Sequence, residues 1–165
     1  ITNLNRQIIS TEKNLGALKV IEAKKRINDI NSAIEVVAIN EKISLKNIEN
    51  IIDGSDIVVD ALDNSLLKKS IEKICAKNKI IMVHGAIAGF IGQVAVIRPG
   101  DFILDKIYRE KEIENKEGNL SFTPALVSSI QVGEVVKILL NKGEVLENEI
   151  LYIDLKYNTF TKIKI

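Results

Sequence analysis

An open, mostly parallel α/β sheet flanked by helices, with antiparallel strands at the C-terminal end, is the fold class this sequence predicts. Three observations predict it. Short β-branched runs alternate with amphipathic stretches along the chain. One run, DIVVDAL (56–62), is apolar almost throughout, as strands covered on both faces of a parallel sheet are. The final stretch, ILYIDLKYNTFTKIKI, holds two alternating runs around Tyr157-Asn158-Thr159, the pattern of a hairpin.

The elements follow in order. A helix over residues 16–29 is predicted by Ala17, Val20, Ala23 and Ile27, which recur at helical spacing opposite a lysine-rich side. EVVAI (35–39) reads as a short strand. SLKNIENIIDG reads as a helix with Ser44 at its N-cap and Gly54 as its stop. After the 56–62 strand comes a helix over about 65–77, with Leu66, Leu67, Ile71, Ile74 and Cys75 on one side. KIIMVHGAI (79–87) and QVAVI, after Gly92, read as two more strands. Residues 105–119 are charged and poor in apolar side chains, and are expected to form a mobile loop. Thr123-Pro124 is expected to open the last long helix as N-cap and first residue, and Gly143 to close it. That helix is apolar nearly all round, so both its sides need cover, by the sheet and by a second copy of the chain.

Composition narrows the function classes. The 165 residues suit a single domain, 46% apolar and 27% charged. Twenty-three basic residues against twenty-two acidic ones leave a net charge of +1. A protein built to grip nucleic-acid phosphates would carry a basic excess. Cys75 is the single cysteine, which excludes an internal disulfide and any CxxC zinc knuckle; a cytoplasmic location is expected. No apolar run is expected to approach the roughly 20 residues that span a bilayer.

In an open α/β sheet, ligands bind beyond the carboxyl ends of the strands. DIVVDALDN puts Asp60 at a strand end and Asp63 and Asn64 just past it, facing that crevice or capping the next helix. Lys19 falls in the first turn of the first helix, where the helix dipole disfavours a cation unless an anion is bound. By position alone, a solvated lysine on a lysine-rich helix is the simpler explanation. Arg6, in NLNRQ, suits bidentate phosphate binding or a surface ion pair. His84 reads as a hydrogen-bonded core histidine and Cys75 as packing. GAIAGFIG (85–92) lies between two strands and so lacks the strand-to-helix context of a dinucleotide fingerprint.

Taken in order, NLNRQ, LGALKV, RINDIN, DIVVDALDN, VHGAIAGFIGQVAVIRPG and FTPALVSSIQVGEVVKILL resemble the ThiF/MoeB/HesA family, bacterial relatives of the ubiquitin-activating enzymes. The resemblance covers nearly the whole chain. It implies a Rossmann-like domain that binds ATP and Mg²⁺, and adenylation of the C-terminal glycine carboxylate of a small ubiquitin-like sulfur carrier (ThiS- or MoaD-like) in thiamine or molybdopterin biosynthesis. By the resemblance Asn3, Arg6, Lys19, Asp63 and Asn64 fall on nucleotide-binding positions. Arg6 and Asp63 are the expected catalytic residues, and Asp63 the expected Mg²⁺ ligand. A homodimer is implied, with a separate protein as sulfur donor.

The resemblance also locates differences. The family's glycine-rich phosphate loop, first strand and helix, and ribose-holding acid all precede NLNRQ. Residues 1–165 then correspond to the C-terminal part of an adenylation domain, incomplete at its N-terminus, and this chain alone is expected not to catalyse ATP–pyrophosphate exchange. Relatives with a structural zinc carry two CxxC pairs; FILDKIYR stands here instead, and no zinc is expected. The crossover loop, residues 105–119, holds no cysteine for a thioester or persulfide. Two alternatives remain at this point: a tRNA threonylcarbamoyladenosine dehydratase of the same family, and a non-catalytic partner subunit.

Overall fold

The computed structural model describes residues 3–108 and 118–165. They fall into two compact units divided between Lys42 and Ile43.

In the first unit a 3-10 turn (Glu12–Asn14) precedes helix α1 (Lys19–Ile30). Asn14 organises the approach. Its Oδ1 accepts from the Thr11 amide (2.7 Å), and its Nδ2 donates to the Ile9 carbonyl and to Glu22 Oε2 (2.8 Å each). Gly16 takes φ 87°, a left-handed conformation that a right-handed helix cannot include, so α1 starts three residues later than the periodicity predicts. No described residue of this unit is buried. The expected strand at 35–39 is absent: those residues have no regular secondary structure. A strand is held by ladder bonds to a neighbour, and none of the described strands pairs with this run.

The second unit contains α2 (Ile48–Ile52), β1 (Ile57–Asp60), α3 (Ser65–Lys77), β2 (Ile81–Ala88) and β3 (Ile91–Ile97). It continues with α4 (Leu104–Ile107), α5 (Phe122–Leu140), β4 (Glu149–Asp154) and β5 (Thr159–Lys164). The α/β expectation is borne out. The five strands lie in the order β1-β2-β3-β4-β5, parallel between β1 and β2 and antiparallel thereafter.

Alternation along β2 and β3 divides the core. Met82, Ala95 and Ile97 face one side with Ile71 and Cys75 of α3 and Leu104 of α4. Val83, Val94 and Val96 face the other with Val127 of α5. The period of two that marks a strand in sequence thus becomes a three-layer sandwich of helices, sheet and helix. Gly92 lets the layers close, since a Cβ there would lie 2.6 Å from Val127 Cγ2.

Three predicted helix ends differ from the structure. Ser44 does not cap α2; its amide and hydroxyl both donate to Asn47 Oδ1 (2.7 and 3.0 Å), forming a turn that delays the helix to Ile48. Thr123 does not cap α5, which begins at Phe122. Its hydroxyl turns inward to the Gly89 carbonyl (2.7 Å), tying the helix to the β2–β3 turn. At the far end Asn141, with φ 50°, takes the left-handed cap position expected of Gly143. The start of the expected loop at 105–119 is helical, as α4; residues 109–117 lie outside the described residues. The nineteen-residue α5 is, contrary to expectation, long and apolar enough to span a membrane by length and composition alone. Its inner face instead carries buried Gln131 and Glu134, bonded to the Asp60 and Val83 carbonyls and to the Leu146 amide. Those bonds mark it as a sheet-packing helix.

Glu72, 2% exposed on α3, accepts from the Leu104 amide at the start of α4 (2.9 Å), while its Oε2 has no hydrogen-bond partner among the described residues. Burial pushes this carboxyl above its ordinary range, against the lowering effect of the Leu104 and Ile103 amides. A group whose folded pKa is raised contributes stability below its unfolded value, near 4.5, and loses that contribution as pH rises through the folded value. Glu72→Gln keeps the acceptor and removes the ionisation. Its melting temperature relative to the parent is expected to rise as pH increases above about 4.5 and to level off once pH passes the folded value, in a calorimetric series. A difference independent of pH would contradict this.

Candidate functional site

Strand β1 ends at Asp60, opposite His84 in the middle of its parallel neighbour β2, which runs on to Ala88. Beyond β1 the chain turns through Ala61–Asp63 into α3. Asn64 supplies the cap, its Oδ1 accepting from the Leu67 amide (2.9 Å), so capping does not occupy Asp63, which is exposed beyond the end of β1.

Under this turn lies a buried polar cluster. Asp60, 2% exposed, accepts at Oδ2 from Lys68 Nζ (2.7 Å) and pairs through the same oxygen with His84 Nδ1 (2.8 Å). Its Oδ1 accepts from the Leu62 amide (2.9 Å). Lys68 Nζ also donates to the Gly85 carbonyl (2.8 Å). From the opposite layer, Gln131 Nε2 donates to the carbonyls of Asp60 (2.9 Å) and Val83 (3.1 Å). Gly85 is required beneath it, because a Cβ there would meet the Gln131 amide at 2.5 Å.

Charge states follow from these contacts. Burial alone would raise the Asp60 carboxyl, but the His84 bond and the Lys68 charge outweigh it and hold the group below its usual range. Burial lowers Lys68, with Asp60 opposing, and burial likewise lowers His84. His84 is therefore neutral. An ionised Asp60 only accepts, so Nδ1 carries the His84 proton and Nε2 accepts from the Tyr108 hydroxyl (3.3 Å). The core reading of His84 holds. Cys75 is buried and its thiol is pushed up to about 11, by burial first and then by Asp60 and Glu72, which fits packing and not nucleophilic work.

The other predicted residues belong to the first unit. Arg6 donates from Nη2 to Asn3 Oδ1 (2.7 Å) and from Nη1 to Asn5 Oδ1 (3.0 Å), so flanking amides orient the guanidinium. Lys19 is the first residue of α1 and lines a notch of about 20 Å³ with Ile9, Ser10, Asn14, Ala17 and Glu22. That space is too small for a triphosphate. Among the described residues no three His, Cys, Asp or Glu side chains cluster as a metal cage. One exposed carboxylate, Asp63, is nevertheless a donor set that fits Mg²⁺, which takes one or two carboxylates together with nucleotide phosphates.

Sequence reading missed Lys68 and Gln131. A signal was present. The inward face of α3 is Lys68, Ile71, Glu72 and Cys75, and that of α5 is Thr123, Val127, Gln131 and Glu134. Charged or amide side chains at core-facing helical positions require buried partners.

The ThiF family model matches residues 1–165. The chain belongs to the ThiF family. It is 29% identical over 98% of its length to the SAMP-activating enzyme E1 of Haloferax volcanii, spanning 62% of that protein. It is 33% identical over its whole length to a probable molybdopterin-synthase adenylyltransferase of Pyropia yezoensis, spanning 46% of it. Thus this ThiF-family chain spans about half to two thirds of these relatives. Among solved structures, Escherichia coli MccB with ATP shares the fold, with a TM-score of 0.83 at 18% identity over 99% of this chain and 52% of that one.

Proposed function

We propose that the protein activates a carboxylate by adenylation, and that the carboxylate is the C-terminal glycine of a small ubiquitin-like sulfur carrier. The observation that carries this reading is the family match over the entire chain, with Arg6 and Asn3 already paired and Asp63 exposed beyond β1. One carboxylate oxygen attacks the α-phosphorus of ATP; the Pα–O–Pβ bond breaks and pyrophosphate leaves with its electron pair. The attacking group is already ionised, so no general base is needed, and catalysis consists of positioning and charge neutralisation. Arg6 and Lys19 hold phosphate oxygens in this scheme, Asn3 orients Arg6, and Asn64 fixes the turn from which Asp63 would hold Mg²⁺. Bound Mg²⁺ supplies neutralisation of phosphate charge.

The test is ATP–pyrophosphate exchange by the full-length protein, in the cytoplasmic pH range, with a ThiS- or MoaD-type carrier. Exchange is expected with the intact carrier and not with one lacking its terminal glycine. Exchange or ATP hydrolysis stimulated by bulk tRNA instead would point to the dehydratase, which the +1 net charge disfavours. A homodimer is part of the same reading, since Val132, Val136 and Leu139 of α5 are 58, 46 and 62% exposed. Light scattering is expected to give twice the monomer mass; a monomeric mass at micromolar concentration would remove this element.

A further inference from the structure

Asp63 is exposed, yet the turn that presents it is anchored by buried groups. At its start, Asp60 uses one carboxylate oxygen for the Leu62 amide and the other for Lys68 and His84. At its end, the Asn64 cap pins it to α3. Only Ala61–Asp63 lie between.

We infer that Lys68 and His84 are positioning residues for Asp63: by fixing the Asp60 carboxylate from α3 and β2, they set the Asp60–Leu62 turn and with it the direction in which Asp63 meets a magnesium–nucleotide complex. The inference rests on the adenylation reading above.

A carboxylate torsion is broad and roughly two-fold, so an unanchored Asp60 could turn its Oδ1 away from Leu62. Two donors on Oδ2 remove that freedom. Each donor is itself held. Lys68 bonds the Gly85 carbonyl, and His84 takes the Tyr108 hydroxyl on its far nitrogen, with Gln93 Nε2 donating to that hydroxyl (3.4 Å). The bonds therefore run in one direction, from Gln93 through Tyr108 and His84 to Asp60. Nothing in this cluster touches solvent freely: Asp60, Lys68 and His84 are 2, 3 and 0% exposed. Groups that orient a metal-binding residue from behind commonly affect metal affinity tenfold to a hundredfold.

The experiment measures Mn²⁺ binding to the full-length protein by electron paramagnetic resonance, with a non-hydrolysable ATP analogue present. His84→Leu is expected to weaken Mn²⁺ about tenfold. His84→Asn, whose amide can donate from nearly the Nδ1 position, is expected to restore most of the affinity. A folded His84→Leu protein, by near-ultraviolet circular dichroism, that binds Mn²⁺ like the parent would overturn the inference. Should His84→Leu not fold, the charge-neutral pair Asp60→Asn/Lys68→Met is measured instead; weakened binding supports positioning and parental binding overturns it. Asp63→Ala separates the two readings. Parental Mn²⁺ affinity in Asp63→Ala removes the adenylation site itself, whereas loss there with parental affinity in His84→Leu removes only the role of Lys68 and His84.

Discussion

Alanine at Asp63 in the full-length protein is expected to lower carrier-dependent ATP–pyrophosphate exchange about a hundredfold or more, and alanine at Arg6 about a thousandfold. The reaction brings an anionic carboxylate to an anionic phosphate while a third anion departs. Its barrier is set by how much of that charge fixed groups neutralise, and such groups act most strongly where charge develops. Asp63→Asn should lose nearly as much as Asp63→Ala, because Mg²⁺ requires the charge and not the shape. Arg6→Lys should also fail, since an ammonium cannot reproduce the fork that Asn3 and Asn5 orient. The loss at Arg6 should appear in kcat more than in KM if its contacts strengthen in the transition state. Asp63 is exposed and Arg6 lies in a unit with no buried residue among those described, so circular dichroism should show unaltered folds. Wild-type exchange in both alanine variants would end the adenylation reading.

Periodicity made the second unit legible. The helix expected over 65–77 coincides with α3, because its pattern reflects burial satisfied within the unit; the terminal hairpin coincides with β4 and β5, where ladder pairing holds β5 although its residues are all exposed. EVVAI failed for the complementary reason. Its β-branched residues state a preference, but a strand exists only with a neighbour, and Val37 ends 75% exposed. Cap residues were misread where a side chain had a tertiary task, as when Thr123 turned to Gly89. The candidate site was legible in part. DIVVDALDN marked the turn beyond a strand end, where Asp63 is exposed, and the resemblance singled out Arg6 and Lys19 as candidates. Lys68 was hidden among neighbouring lysines; only its place in the Lys68–Ile71–Glu72–Cys75 stripe distinguishes it, and reading that stripe requires knowing which face of α3 meets the sheet.

Lys68 carries the largest stability effect expected in the chain. Lys68→Met preserves length and apolar volume but leaves Asp60 as a buried carboxylate with the Leu62 amide and a neutral His84 as its donors. Removing one partner of a buried pair costs about 3–5 kcal/mol, against roughly 5–15 kcal/mol for the stability of a whole domain. The variant should therefore melt far below the parent at pH 7. The sign of its pH dependence separates this cause from lost packing. In the parent, Asp60 is held below 3.8, so the stability it contributes is present above that value and lost as pH falls through the lower folded value. Without Lys68 the carboxyl should rise, protonate at milder acidity and cease to need a counter-charge. The deficit of Lys68→Met should thus shrink from pH 7 toward pH 4 in a urea-denaturation series. Adding Asp60→Asn should recover part of the loss at pH 7, because a neutral amide replaces the orphaned charge. A deficit that is constant with pH and unrelieved by Asp60→Asn would mean that Lys68 matters for its methylenes and not for its charge.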